Sequence, residues 1–203
     1  NHNTGEIYQE TYDKLILSPG AEPIKPNLPG SDDDRVFTLR TVPDTLKIRA
    51  YVEQNKPKSA AVIGGGYIGM EMAENLKHAG LDVTVVEMAE HIIAPLDSDM
   101  ASLVQHYTRE NGIRLILKNG VQAFIPTESH IEVQLSHGTL NADLVLMSVG
   151  VKPETSMAQK AGISCNARGA ILVDEHMRTS IPDIYAVGDA VAVTNFVTKQ
   201  EAY

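Results

Sequence analysis

The chain has 203 residues, 43% of them hydrophobic, with 17 basic against 26 acidic side chains and a formal charge of −9. That size and apolar content build one ordinary core or two small ones. The acidity excludes nucleic acid as a partner, because affinity for a phosphate backbone needs clustered Lys and Arg that release counterions. A single cysteine, Cys165, leaves no disulfide framework, CxxC redox pair or thiolate metal site, and the seven histidines show no paired ligand spacing, so no metal is expected.

The longest apolar runs, such as residues 140–151, are interrupted by Asn141 and Asp143 and are too short to cross a bilayer. No basic-then-apolar leader opens the sequence, so a soluble, cytoplasmic protein with no membrane partner is expected. Asn1 at the first position, in place of Met, points to a piece of a longer protein.

In chain order, residues 12–20 read as a strand that runs into the Pro19-Gly20 turn. Residues 36–38 lead to a turn at Val42-Pro43-Asp44, and a short helix follows over 45–54, where Leu46 with Ala50, and Ile48 with Tyr51 and Val52, fall at helical spacings. Lys56-Pro57-Lys58-Ser59 breaks it. Ala60-Ala61-Val62-Ile63 is an unbroken apolar strand of the kind buried on both faces of a parallel sheet, and it ends in Gly64-Gly65-Gly66. Residues 67–78 form a helix closed by Gly80, and Val83-Thr84-Val85-Val86-Glu87 is a second buried strand. Strand, glycine turn, helix and strand make a βαβ unit with parallel pairing, the core of a Rossmann-like sheet. Asp97 or Ser98 caps another helix, which Gly112 stops before a third strand at 113–117. A β-rich stretch follows from Gly120 to Val149, with alternation over 130–135, a Ser136-His137-Gly138 turn and an apolar strand at 144–149. Residues 183–189 hold a further strand ending in Gly188-Asp189; with the strand near the start of the chain it is expected in a second sheet.

Gly64-Gly65-Gly66-Tyr67-Ile68-Gly69 satisfies GxGxxG. In that pattern the first glycine permits a sharp turn, the second lets backbone N–H groups approach a pyrophosphate, and the third lets helix and strand pack closely. The helix N-terminus, with unsatisfied N–H groups and about half a positive charge, favours the phosphates. Glu87 ends the next strand about 20 residues on, where the fingerprint requires an acid. Its carboxylate suits the adenosine ribose hydroxyls and would repel the 2′-phosphate of NADP. Met88-Ala89-Glu90-His91 offer no Arg or Lys to hold that phosphate. NADH is therefore the expected ligand.

The run Val62-Ile63-Gly64-Gly65-Gly66-Tyr67-Ile68-Gly69-Met70-Glu71, with residues 12–20 before it and Thr179-Ser180-Ile181-Pro182-Asp183-Ile184-Tyr185-Ala186-Val187-Gly188-Asp189 after it, resembles the pyridine nucleotide-disulfide oxidoreductase family over nearly the whole chain. The Leu-Ser-Pro-Gly-Ala turn at 17–21 is similar to that of the branch holding coenzyme A-disulfide reductases and NADH oxidases or peroxidases. The resemblance implies an FAD domain interrupted in sequence by an NAD domain: residues 1–34 and 152–203 as pieces of the first, 35–151 as the second. It implies NAD and FAD as cofactors, with hydride passing from NADH to FAD and on to a disulfide, oxygen or peroxide. Asp189 would bond the flavin's ribityl chain, with Gly188 permitting close backbone approach. Tyr67 and Glu71 match catalytic positions at the nicotinamide–flavin junction: the ring lies over the flavin until NADH displaces it, and the glutamate pairs with a lysine near the flavin. Gly150 and Pro153 match a turn lining the nicotinamide pocket.

The family's N-terminal glycine motif for FAD, its upstream redox cysteine and its C-terminal dimerisation domain have no counterpart here, and Cys165 matches no catalytic position. The chain alone is therefore expected to retain no FAD and to be inactive, its partners being the FAD and dimerisation domains of a homodimeric parent. Two other functions fit parts of the pattern: an NADH-dependent reductase of a ferredoxin or rubredoxin, which needs no redox cysteine, and a non-catalytic NAD sensor, which would have no use for Asp189.

Overall fold

The computed structural model describes residues 4–202. In chain order the elements begin with β1 (Leu15–Leu17), β2 (Ala21–Pro23), β3 (Val36–Thr38), α1 (Val42–Asn55), β4 (Ser59–Ile63), α2 (Tyr67–His78), β5 (Asp82–Val86), α3 (Ser98–Glu110) and β6 (Arg114–Ile116). Next come β7 (Val121–Pro126), β8 (Ile131–Leu135), β9 (Thr139–Ala142) and β10 (Leu144–Met147). The chain continues through β11 (Val151–Pro153), α4 (Ser156–Lys160), β12 (Ile171–Leu172), β13 (Ile184–Ala186), β14 (Val191–Thr194) and β15 (Glu201–Ala202). It divides into two compact units, Pro23–Val151 and the flanking segments on either side of it.

The central unit is built on a five-stranded sheet in the order β3-β10-β4-β5-β6, parallel throughout. Its inner strands are buried on both faces, which is why they read as unbroken apolar runs. Successive residues serve opposite sides. Val62, Val83, Val85, Leu144 and Leu146 pack against Ile48 of α1 and Ala73 and Leu76 of α2. Ala61, Ile63, Val86, Val145 and Met147 pack against Phe124, Ile131 and Val133. These last belong to the antiparallel meander β7-β8-β9, so a β-layer covers the face that a doubly wound sheet would cover with helices.

The helices that follow β4 and β5 stop in the same way. At the end of α2 the Gly80 N–H donates to Lys77 O at 2.9 Å and the Leu81 N–H to Leu76 O at 3.2 Å; at the end of α3 the Gly112 N–H donates to Arg109 O at 3.0 Å and the Ile113 N–H to Thr108 O at 3.2 Å. This pair of bonds is the Schellman motif, and it turns the chain straight into β5 and β6.

Two expectations are corrected. Val42-Pro43-Asp44 is the first turn of α1 rather than a turn before it: Thr41 is the N-cap, its hydroxyl accepting from the Asp44 N–H while the Asp44 carboxylate accepts from the Thr41 N–H, with Pro43 in the first turn where no N–H is needed. Residues 23–34, assigned from sequence to the first flanking segment, fold with the central unit. The Phe124 N–H donates to Pro29 O at 2.8 Å, and Gly30 runs so close to β7 that a β-carbon there would lie 1.9 Å from Phe124 O.

In the flanking unit, β1 and β13 pair in parallel, Leu15 opposite Ile184 and Leu17 opposite Ala186. Leu17, Ile163, Ile171, Ile184, Ala186 and Val191 form its core. The Thr179 hydroxyl braces the loop into β13, sitting 2.9 Å from Ile184 O and 3.2 Å from Ile181 O. Among the described residues no helix is long and apolar enough to cross a membrane, and no group of three His, Cys, Asp or Glu is placed to hold a metal ion.

Thr41→Ala removes the capping box and is expected to cost about 1 kcal/mol. Ile48→Ala, which empties a buried site, should cost about 2–5 kcal/mol. Urea unfolding followed by circular dichroism checks the order: equal midpoint shifts would contradict it.

Candidate functional site

The carboxyl ends of β4, β5 and β10 meet at one edge of the parallel sheet, where a cleft of about 580 Å³ opens. Open α/β sheets bind ligands at this edge. The glycine turn after β4 forms its floor, and Glu87, Met88, Asn119 and Ser148 stand along its walls.

Each glycine of the turn has a separate reason to be glycine. Gly64 has φ +105°, a conformation that L side chains rarely adopt, and a β-carbon there would lie 2.4 Å from Ser148 O. A β-carbon on Gly65 would lie 2.7 Å from Ile92 Cγ2. Gly69 faces the turn from the first part of α2, where a β-carbon would lie 2.0 Å from Gly64 O and 2.6 Å from Ser148 Oγ. Gly66 differs from the others: it has φ −75° and a β-carbon on it would meet nothing within 4 Å. The open space at Gly66 is therefore cleft, not protein. Gly66 is also the N-cap of α2, and no side chain caps that helix, so its first N–H groups have no side-chain partner.

The acid lies where the turn needs it. Glu87 Oε2 accepts from the Gly65 N–H at 2.7 Å and Oε1 accepts from the Ala89 N–H at 2.7 Å. A carboxylate offers about four acceptor sites, so about two stay available for hydroxyl donors.

Tyr67 and Ile68 open α2 at the cleft, Tyr67 with 61% of its surface exposed. Glu71, one helical turn beyond Tyr67, is exposed and makes no ion pair among the described residues. Gly150 lines the cleft, and its φ of +107° is what requires glycine: a β-carbon would find Ile24 Cδ1 at an ordinary 3.6 Å. Pro153 ends β11, outside the central unit. Gly188 and Asp189 belong to the flanking unit, in a single 3₁₀ turn directly after β13. There the Val187 N–H donates to Leu17 O at 3.0 Å, which sets exposed Asp189 at the carboxyl ends of two parallel strands. Cys165 is half-buried and burial pushes its thiol pKa up, the opposite of what a reactive thiolate needs.

Several residues that hold the cleft together are not visible in the glycine motif. The Ser148 hydroxyl lies 3.0 Å from Ile63 O and 3.1 Å from Gly64 O, clamping the start of the turn. The Ile93 N–H donates to Gly65 O at 2.8 Å. Buried Asn119 ties the cleft wall to the turn between β8 and β9, its amide exchanging bonds of 2.9 and 3.0 Å with the His137 backbone. Lys118 brings a cation beside the 87–91 turn, its Nζ 2.6 Å from Glu90 Oε1, and holds the Glu90 carboxyl below its ordinary pKa. A serine at the end of an apolar strand was the one available signal for Ser148; cross-strand pairing hides the rest.

A family model described as pyridine nucleotide-disulphide oxidoreductase matches residues 1–202. The chain belongs to this family. Members of the pyridine nucleotide-disulphide oxidoreductases use NAD(H) and FAD. An NADH oxidase of Methanocaldococcus jannaschii is 43% identical over 198 residues, covering 97% of this chain and 44% of the relative. The reduced Bacillus anthracis CoADR-RHD crystal structure superposes with a TM-score of 0.93 at 45% identity, covering 98% of this chain and 36% of that one. The water-forming NADH oxidase of Lactobacillus brevis bound to NADH gives a TM-score of 0.86 at 34% identity, covering 96% of this chain and 43% of that one. The chain thus spans less than half the length of each.

The glycine geometry separates folding from binding. Gly69→Ala should lower the melting temperature by several degrees because its β-carbon overlaps the Gly64 carbonyl, whereas Gly66→Ala should melt within about a degree of the parent. Calorimetric scans of the two variants check this, and a large loss at Gly66 would mean that the space above it is needed by the protein itself.

Proposed function

We propose that the chain is the NADH-binding part of an FAD-dependent oxidoreductase that delivers electrons to a disulfide, oxygen or peroxide acceptor. The observation that carries this reading is Gly66: an open, unstrained glycine at the uncapped N-terminus of α2, flanked by glycines that are each sterically required. With φ −75° and nothing within 4 Å of a β-carbon, neither backbone conformation nor packing requires glycine at this position, which lines the cleft. The dinucleotide's pyrophosphate fits that space, where backbone N–H groups and the helix dipole meet negative charge.

Glu87 receives the adenosine ribose in this reading, its position fixed by the Gly65 and Ala89 N–H groups. Against NADPH the same carboxylate faces a 2′-phosphate; like charges about 4 Å apart repel by about 1 kcal/mol at the dielectric of water and about 4 kcal/mol at an effective dielectric of 20. Tyr67 and Glu71 take the positions beside the nicotinamide, and Gly150 supplies a turn that a β-carbon would strain. Asp189, at the carboxyl ends of β1 and β13, takes the flavin's ribityl hydroxyls. The reactive groups belong to the cofactors, NADH giving hydride and FAD receiving it. The residues of this chain bind and orient, and orientation alone is worth several kcal/mol when it replaces a bimolecular encounter. The two strand ends beneath Asp189 favour this reading over a sensor without flavin, for which that carboxylate would serve no purpose.

Calorimetric titration should show NADH binding more tightly than NADPH, and Glu87→Gln should weaken NADH while narrowing the difference. In the intact enzyme Gly66→Val should raise KM for NADH at least tenfold, about 1.4 kcal/mol, with kcat less affected. An unchanged KM would make the turn purely structural and remove the basis of the assignment.

A further inference from the structure

Glu87 and His91, on the turn after β5, line the cleft, and beside them Glu90 on the same turn meets Lys118 on the turn after β6. The two turns are zipped together by their backbones. The Asn119 N–H donates to Glu87 O at 3.1 Å and the Lys118 N–H donates to Ala89 O at 3.0 Å. Lys118 is thus pinned beside the acidic turn, with its neighbours Asn119 and Gly120, as well as Glu87, Met88 and His91 opposite, lining the cleft. Its φ of +53° lies in the left-handed region, so the backbone position is set by the turn and not by the preference of the side chain. The Lys118 ammonium rests on Glu90, 2.6 Å from Oε1.

We propose that Lys118 is a latent anchor for the 2′-phosphate of NADPH, and that Glu90 keeps it occupied, so that the Glu90–Lys118 pair, together with Glu87, sets the choice between NADH and NADPH. The proposal rests on the reading of Glu87 as the ribose ligand. Two carboxylates against one ammonium leave this corner net negative, which repels a phosphate carrying close to two charges but not a neutral ribose hydroxyl. With Glu90 neutral, one carboxylate and one ammonium remain, and the freed ammonium has three donors to offer a phosphate as a point charge. Glu90 is thereby a specificity-determining residue that acts through Lys118 without touching the nucleotide. The pair is exposed on both sides, with 66% of the Lys118 and 78% of the Glu90 side chain accessible, so it contributes little to folding and can be broken without unfolding the turn.

The test is a set of nucleotide titrations at fixed ionic strength. Glu90→Gln should tighten NADPH binding about tenfold and leave NADH within about twofold, and adding Lys118→Met to it should return NADPH to its original affinity. A merely structural role for the pair would move both nucleotides together, and would not be reversed by the second substitution. The proposal is overturned if Glu90→Gln brings no gain for NADPH, or if the gain survives Lys118→Met. Glu87→Gln tells the two readings apart. Weaker NADH binding in that variant, with no NADPH gain in Glu90→Gln, leaves Glu87 at the ribose and removes only the role of the pair. Unchanged NADH binding in Glu87→Gln removes both.

Discussion

A β-carbon on Gly69 would lie 2.0 Å from the carbonyl oxygen of Gly64, and the geometry of the cleft depends on that closeness. Because neither residue carries a side chain in the gap, α2 packs directly onto the end of β4. The first turn of α2 then stands at the cleft, with no side chain capping its N–H groups. Ser148 sets the approach from the other side, its hydroxyl reaching both Ile63 and Gly64 carbonyls. Any side chain at Gly69 would push the helix off the strand, and the N-terminal N–H groups would lose their common focus. The close packing at one residue thus positions the free backbone at another.

The electrostatics of the cleft follow from the same arrangement. At Gly66 a helix N-terminus offers positive potential with no side chain to satisfy it, and an anion is the natural complement. A short distance away, Glu87 is held by two backbone N–H groups, and negative charge gathers on the 87–90 turn. One end of the cleft attracts phosphate and the other resists it. That polarity is what a dinucleotide with an internal pyrophosphate and an unphosphorylated ribose would match.

Much of this was legible in the sequence because it rests on local patterns. An apolar run, a glycine turn and an acid at the end of the next strand carry their meaning in fixed spacing, and β4, α2, β5 and Glu87 lie where that spacing puts them. The start of α1 is not legible because Val42-Pro43-Asp44 has turn composition; only the reciprocal bonds between Thr41 and Asp44 reveal a capped helix. Residues 23–34 carry no periodicity, with Pro23, Pro26 and Pro29 among them, and are held to the central unit by a backbone bond from Phe124 of β7 to Pro29 and one from Ile24 to Gly150, which composition does not encode. Lys118 stayed hidden for a similar reason. The residues directly after Glu87 hold no Lys or Arg; the cation arrives from the turn after β6, the strand paired in parallel with β5 through the register Val86 to Ile116.

The two Schellman endings of α2 and α3 bear on how such a fold can change. Each passes from helix to strand through a left-handed glycine with no slack: Gly80 and Leu81 lead into β5, Gly112 and Ile113 into β6. An inserted residue at either place would displace a buried parallel strand along its neighbours and turn its apolar side chains to the wrong face. The opposite edge has room beyond the zipped residues 87–89 and 118–119, in the irregular stretch that runs on to α3. Length variation is thus confined by geometry to the edge that carries the cleft. A lineage can remodel what this scaffold recognises through insertions there, while its other rim stays mechanically closed to them.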